Sequence, residues 1–200
     1  GFSILVDCGA NVDSKPSQLV QYAKMGSIYM KELLGIENPT VGIVNIGTEE
    51  EKGNALVKET FPLLKACKDI HFVGSVEARD IPHGAVDVIV CDAFVGNVIL
   101  KLYEGTASAL MHVIKDGMMS SFRGKIGGFL VKPSLKKCIA SYSAADQGGA
   151  PLLGLKGLVV KMHGNSKDAE CAAAIRQCVR FYEADMIEKI GTSIGKADTE

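Results

Sequence analysis

The chain has 200 residues, of which 47% are hydrophobic and 22% charged, and its formal net charge is -1. This composition predicts a globular protein with a substantial core, and the near-neutral net charge argues against a nucleic-acid-binding protein. No apolar run reaches the ~18 residues of a membrane helix, and the six cysteines lack CxxC or zinc-finger spacing. We therefore expect a cytoplasmic protein with reduced thiols, without metal or cofactor.

The first third of the chain predicts two strands and two helices. Residues 2–6 form an apolar strand that ends in a polar turn. Ser14 and Pro16 are typical of a helix cap and first turn, and apolar residues at helical spacing continue to Gly35. A second strand is predicted at 41–46. Thr48 and Glu51 then match a capping box, which predicts a helix reaching about Cys67.

The remainder continues the alternation of strands and helices. Further strands are predicted at 70–73, 86–91 and 158–162, and helices from Asn97 to about Lys115 and over 166–190. The apolar stripe of the last helix is made by Ala172, Ile175, Val179, Tyr182, Met186 and Ile190. Alternating strands and helices predict an α/β fold with a largely parallel sheet covered on both faces.

Polar residues follow five of the predicted strands. They are Asp7, Asn11 and Asp13; Asn45, Thr48 and Glu49; Glu77, Arg79 and Asp80; Asp92 and Asn97; and Lys161 and His163. The carboxyl ends of parallel strands lie at one edge of a sheet, so these sets predict one cleft. Each set alone is also explained by capping and turn formation, and that alternative stays open.

The cations of this predicted cleft favour a small anion. Arg79, Lys101, Lys161 and His163 are available, beside backbone N–H groups at the helix start near Gly96 and Asn97. Such groups suit phosphate, and His163 is either an acid or base or a structural hydrogen-bonding group. The sequence contains no GxGxxG or GxxxxGK[ST] motif, which argues against nucleotide-binding folds.

A basic and apolar segment covers residues 107–138. Residues 105–145 include six Lys or Arg residues and only one acidic residue. Glycines and Pro133 predict short helices, arranged as a projecting hairpin. We expect this segment to contact an anionic membrane or an acidic protein, and the alternative is packing on a second subunit. The residues proposed for contact are Leu110, Met118, Met119, Phe122, Arg123, Lys125, Phe129, Lys132, Lys136 and Lys137.

Six ordered motifs resemble those of one family. They are VDCGANVD (6–13), NIGTEEEKGN (45–54), GSVEARDI (74–81), CDAFVGNVILK (91–101), GGAPLLGLKG (148–157) and VVKMHG (159–164). Together they resemble the bacterial phosphate acyltransferase family of phospholipid synthesis, PlsX. Ala93 and Gln147 depart from the family pattern, in which Gly and Tyr are usual, and this affects only the shape of those turns.

The resemblance implies an activity, partners and a fold. The activity is conversion of acyl-[acyl carrier protein] and inorganic phosphate into acyl phosphate, which a membrane glycerol-3-phosphate acyltransferase then consumes. The implied protein is a homodimer, peripheral on the inner face of the cell membrane, that binds no nucleic acid. Its fold is a three-layer α/β/α arrangement similar to isopropylmalate dehydrogenase and phosphotransacetylase. Residues 1–200 would form the C-terminal part of one catalytic domain, so we expect residues before Gly1 and an incomplete active site.

Roles in this chemistry follow from charge and placement. Arg79, Lys101 and Lys161 would hold phosphate or stabilise the developing oxyanion, Asn97 would orient it, and His163 would move a proton. The other proposed binding residues are Asn11, Asn45, Glu77, Asp92 and Gly96. Two alternatives stay open: a phosphotransacetylase-like enzyme that uses acyl-coenzyme A, and a non-catalytic fragment that binds a membrane or a partner.

Overall fold

The computed structural model describes residues 2–141 and 148–195, apart from the side chains of 136–141. Its strands are β1 (Ile4–Val6), β2 (Thr40–Asn45), β3 (His71–Glu77), β4 (Val88–Val90), β5 (Ala150–Pro151) and β6 (Val160–Lys161). Its helices are α1 (Pro16–Leu34), α2 (Ala55–Ala66), α3 (Ala93–Met119), α4 (Phe122–Ser141), α5 (Asp168–Glu183) and α6 (Met186–Gly195), with a 3₁₀ turn at Ile81–His83.

The main sheet has four parallel strands in the order β1-β4-β2-β3. Alternate residues of a strand point to opposite faces, so Val41 and Ile43 face the same side. They form a buried cluster with Val88, Val90 and residues of α1 and α2. Ile89 belongs to a second cluster with Val76 on the other face. The prediction of an α/β fold with a largely parallel sheet flanked by helices is confirmed, and the arrangement is consistent with three layers.

Helix α1 starts at Pro16 and ends at Gly35 as the sequence predicted, but its cap is Lys15 rather than Ser14, whose hydroxyl donates to the Asn11 carbonyl. Pro16 occupies its first turn, Lys15 is the cap, and the Gln18 side chain accepts the Lys15 N–H at 2.8 Å. The helix ends at Gly35 in the left-handed conformation, with φ of 71°. Helices α5 and α6 pack on the outer side of α1 rather than on the sheet, through Phe181, Met186 and Ile190 with Met25.

The predicted start of α2 is wrong. Thr48 and Glu51 lie in a loop, and the helix begins at Ala55, where the Asn54 side chain accepts the Val57 N–H at 2.9 Å. Glu49 instead pairs with Lys52 at 2.8 Å. The helix is therefore capped by Asn54, six residues after Thr48. The intervening loop is held by the Asn45 amide, which donates to the Lys52 carbonyl at 3.2 Å.

Two further boundaries also differ from prediction. Strand β3 extends to Glu77 because it pairs with β2 along its whole length. Helix α3 begins at Ala93, four residues before Asn97, since Asp92 caps it, and it runs on to Met119. Segment 107–138 is not broken into short helices: α3 and α4 are long and turn at residues 120–121, and Pro133 lies inside α4.

The last third of the chain corrects two more predictions. Strand β6 does not join the main sheet; it pairs with β5 in a separate antiparallel ribbon. The predicted final helix is two helices, because the chain breaks at Asp185, whose φ is 50°. Ile175, Val179 and Tyr182 are exposed, while Ala173, Ala174 and Gln177 are buried, so the stripe predicted for α5 is on the wrong face.

Candidate functional site

The turn after β1 is built around the carboxylate of Asp7. Its Oδ1 accepts the backbone N–H groups of Gly9 and Ala10 at 2.9 and 3.0 Å, and its Oδ2 accepts that of Asn11 at 2.8 Å. A carboxylate with three such bonds is a structural acceptor that shapes the loop. Asp7 therefore fixes the turn and is poorly placed to act as a catalytic base.

Asn11 connects this turn to α1 and α3. Its carbonyl accepts the Ala93 N–H at 3.2 Å and the Ser14 hydroxyl at 3.0 Å. Its amide donates to the Tyr22 hydroxyl at 3.4 Å. Tyr22 is a residue that the sequence did not single out; only its place on the inner side of the amphipathic α1 gave a signal.

The first turn of α3 lies directly on the turn of β1. A Cβ at Gly96 would lie 1.9 Å from the carbonyl oxygen of Asp7 and 3.0 Å from the Cα of Cys8. The Gly96 N–H donates to the Asp92 carbonyl at 2.9 Å, and the Asp92 carboxylate caps Val95 at 2.9 Å. These N–H groups are thus satisfied within the helix, and Gly96 permits close packing rather than presenting a free donor.

Lys101 and Lys161 both act on Cys8. Burial, and next the Asp7 carboxylate, raise the pKa of the Cys8 thiol, while the positive charges of Lys161 and Lys101 oppose this rise. Lys161 lies on β6, opposite Ala150 of β5, and Lys101 lies two turns into α3, where it pairs with Glu104 at 2.7 Å. Two cations from distant parts of the sequence therefore act electrostatically on the thiol that follows β1.

Cys8 and Cys91 are two thiols beside the turn that follows β1. Cys91 is buried, and its Sγ contacts the Asp7 carbonyl oxygen at 3.5 Å. Burial raises the pKa of the Cys91 thiol strongly, with smaller contributions from Asp92, Cys8 and Asp7. The sequence analysis considered Cys8 only as one of six reduced thiols. Its place directly after a predicted strand could have indicated that it lies near the candidate site.

Asn97 and His163 are exposed beside the two lysines. Asn97 precedes Lys101 by four residues on α3, so both lie on one side of the helix. His163 follows Lys161 by two residues, and its Nδ1 accepts the Asn165 N–H at 3.3 Å.

A second polar group follows β2 and the outer strand β3. Asn45 is buried, and its amide donates to Lys52 and Ser75 while its oxygen accepts the Ile46 N–H. Arg79 pairs with Glu77 at 2.5 Å and lies 3.9 Å from Asp80. Since β1 and β3 are the outer strands, three strand spacings, or about 14 Å, separate the two edges. All four strands are parallel, so these residues follow the same carboxyl ends as the turn of β1, and β2, which carries Asn45, neighbours β4. One cleft at this side of the sheet stays a prediction.

The α3–α4 hairpin presents apolar and basic side chains to solvent. Phe122 and Phe129 are each 78% exposed, and Leu110 and Met119 are 58% and 54% exposed. Arg123, Lys125 and Lys132 are exposed on α4, Met118 is half-buried, and the Lys136 and Lys137 side chains lie outside the described residues. In the part of the chain that the structure covers, no helix combines the length and apolar character needed to cross a membrane.

Comparison with known proteins finds one matching family model and several relatives that share one name. Residues 1–189 match the family model described as fatty acid synthesis protein. A phosphate acyltransferase of Clostridium novyi is 53% identical over 191 residues, covering 96% of this chain and 57% of the relative. Proteins of the same name from Clostridium botulinum and Brevibacillus brevis are each 50% identical, over 96% and 97% of this chain and 57% and 58% of their own lengths. The chain thus spans less than two thirds of these relatives.

Proposed function

Because the chain belongs to the fatty acid synthesis protein family, the PlsX family that its motifs predicted, we propose that it acts in a phosphate acyltransferase. The observation that carries this proposal is about 50% identity, over nearly the whole chain, to several proteins of that name. We propose acyl-[acyl carrier protein] and inorganic phosphate as substrates and acyl phosphate as product. A glycerol-3-phosphate acyltransferase of phospholipid synthesis would consume this product.

The proposed reaction is direct attack of a phosphate oxygen on the thioester carbonyl carbon. The carbon–sulfur bond breaks, acyl phosphate forms, and the carrier thiolate leaves and takes up a proton. Positive charge placed where the oxyanion develops lowers the barrier, and Lys101 and Lys161 supply it beside the end of β1. Lys101 would exchange its Glu104 partner for phosphate.

The remaining roles follow from placement around these lysines. Asn97 would orient phosphate from the same side of α3 as Lys101, and exposed His163 would give a proton to the leaving thiolate. Arg79 pairs with Glu77 at the end of the outer strand β3, so we assign it to the shape of that strand end rather than to phosphate. We assign Asn45 to the loop after β2, because its amide and its oxygen bond Lys52, Ser75 and Ile46.

The test traps acyl phosphate with hydroxylamine from palmitoyl-[acyl carrier protein] and phosphate. It compares this chain with the longest native form of the protein. The longest form is expected to give product, and Lys101→Met and Lys161→Met to lower the rate at least tenfold. Lys156→Met, at an exposed lysine in the β5–β6 loop, is the matched control. Absence of product from both forms at saturating phosphate would refute the proposal, and a preference for coenzyme A thioesters would favour the phosphotransacetylase alternative.

The exposed hairpin supports a peripheral membrane role and contact with the acidic carrier protein. Phe122, Phe129 and Leu130 are at least 70% exposed, and basic residues flank them. Apolar side chains beside lysines bind anionic lipid surfaces by burial and by charge attraction. The homodimer is proposed from the family resemblance, and sedimentation of the longest form tests it.

Vesicle binding tests the role of the hairpin. Lys125→Glu with Lys132→Glu should abolish co-sedimentation with vesicles that contain anionic lipid, while Lys58→Glu on α2 should not. Binding should also weaken between low and high salt, because salt screens exposed charges. Binding that is unaffected by either change would contradict a charge-driven membrane role.

A further inference from the structure

A cavity of about 260 Å³ lies between the last turns of α1 and the middle of α5. Its apolar wall is formed by Leu33, Leu34 and Ala173, together with the ring of Tyr29. The cavity lies on the outer side of α1, whereas Cys8, Lys101 and Lys161 lie at the end of β1. No role in the proposed acyl transfer involves the residues of this cavity.

Two guanidinium groups line the cavity. Arg176 and Arg180 are four residues apart on α5 and therefore lie on one side of that helix. The Arg180 Nη2 donates to the Leu33 carbonyl at 2.7 Å, which holds its planar group against the end of α1. Guanidinium carries five N–H donors, so this bond leaves donors for a ligand.

The charge of the cavity is positive. Within the described ranges neither arginine forms an ion pair with a carboxylate. The nearest acid along α1, Glu32, is already paired with Lys189 at 2.5 Å. Arginine forks bind carboxylate and phosphate groups through paired hydrogen bonds. The cavity therefore combines an anion-binding edge with an apolar wall.

We propose that this cavity binds a medium-chain fatty anion. The anionic head would lie between Arg176 and Arg180, and the alkyl tail would lie along Leu33, Leu34 and Ala173. At about 30 Å³ for each group the size of a water molecule, the volume holds about nine groups, so a head group and about six carbons fit inside and a longer tail extends beyond the cavity. Inorganic phosphate would leave the apolar wall unused, and a neutral alcohol would leave the guanidinium groups unused.

Titration calorimetry with the full chain tests this proposal. Decanoate and decyl phosphate are each expected to bind saturably, below their micelle concentrations. The tighter of the two shows whether the head group comes from a fatty acid or from a phosphorylated lipid. Decanol and inorganic phosphate should each bind at least tenfold more weakly. Affinity should rise with chain length from four carbons to about seven and then level off, because the cavity is then full.

Variants separate the cavity from nonspecific binding. Arg176→Gln should weaken decanoate at least tenfold, and it removes no hydrogen bond that the structure describes between this side chain and the protein. Arg180→Gln should do the same, with unchanged circular dichroism showing that α1 is intact. Lys58→Gln, at an exposed cation on α2, is the control and should bind like the original chain. Equal binding of decanol and decanoate, no saturable binding, or wild-type affinity in Arg176→Gln would overturn the proposal.

Discussion

The contact between Gly96 and the turn of β1 gives a sharp test of the fold at the candidate site. In Gly96→Ala the new Cβ would lie 1.9 Å from the Asp7 carbonyl oxygen, whereas ordinary contacts begin near 3.4 Å. The first turn of α3 would therefore have to move by about 1.5 Å, since the obstructing atoms belong to the backbone and cannot rotate away.

The expected cost follows from two opposing effects. Overpacking a close contact costs about 1–3 kcal/mol, and backbone obstruction favours the upper end of that range. Alanine recovers about 1 kcal/mol relative to glycine through helix propensity. We expect Gly96→Ala to lower the free energy of unfolding by about 2 kcal/mol, so that packing outweighs propensity.

Gly105→Ala is the matched control on the same helix. A Cβ at Gly105 has no atom within 4 Å, so only propensity acts, and we expect a gain of about 0.5–1 kcal/mol. Urea unfolding measures both variants, and the midpoint of Gly96→Ala should fall by about 1 M with an unchanged slope. If both alanines raise the midpoint equally, the close packing of α3 on β1 is refuted.

Three further predictions concern caps, strand starts and thiols. Asn54→Ala should lower the free energy of unfolding by about 1 kcal/mol, because it removes the cap of α2; an unchanged urea midpoint would contradict that cap. Asp87→Ala should cost about 1–3 kcal/mol in the same assay, since its Oδ2 accepts both the N–H and the hydroxyl of Thr40 at 2.8 and 2.7 Å. Thr40→Val should cost less, because the N–H bond remains. Iodoacetamide should modify half-buried Cys8 more slowly than exposed Cys171, and the rate at Cys8 should still rise above pH 9.0, because burial raises the pKa of its thiol and so delays thiolate formation. A rate at Cys8 that levels off below pH 9.0 would contradict this shift.

Local signals predicted the elements whose ends are fixed locally. Pro16 and Gly35 fix α1 because a restricted φ suits the first turn and a left-handed residue ends the last. The start of α2 was harder, because two cap patterns compete and the side chain of distant Asn45 favours the later one. Such a decision depends on tertiary contacts that no short window contains.

The face of α5 could not be predicted from hydrophobicity alone. Its buried side combines Ala173, Ala174 and Gln177 with Phe181, while other large apolar residues such as Ile175 and Tyr182 face solvent. Large apolar residues alone therefore do not mark the buried face of this helix. The candidate site shows the same limit: the sequence predicted the strand that carries Lys161, but not the antiparallel pairing with β5 from which its charge acts on Cys8.

Helix α3 is one uninterrupted helix from Ala93 to Met119, and Gly96 in its first turn packs on the turn that follows β1. At about 1.5 Å per residue, the tip at Met119 lies about 35 Å from Gly96, and Lys101 lies about 7.5 Å from it. If α3 turned as a rigid body about Gly96, a displacement of the tip by about 5 Å would shift Lys101 by about 1 Å, and a misplacement of that size at a reacting group costs about a hundredfold in rate. A rigid α3 would thus connect the surface that the hairpin contacts to the position of this lysine.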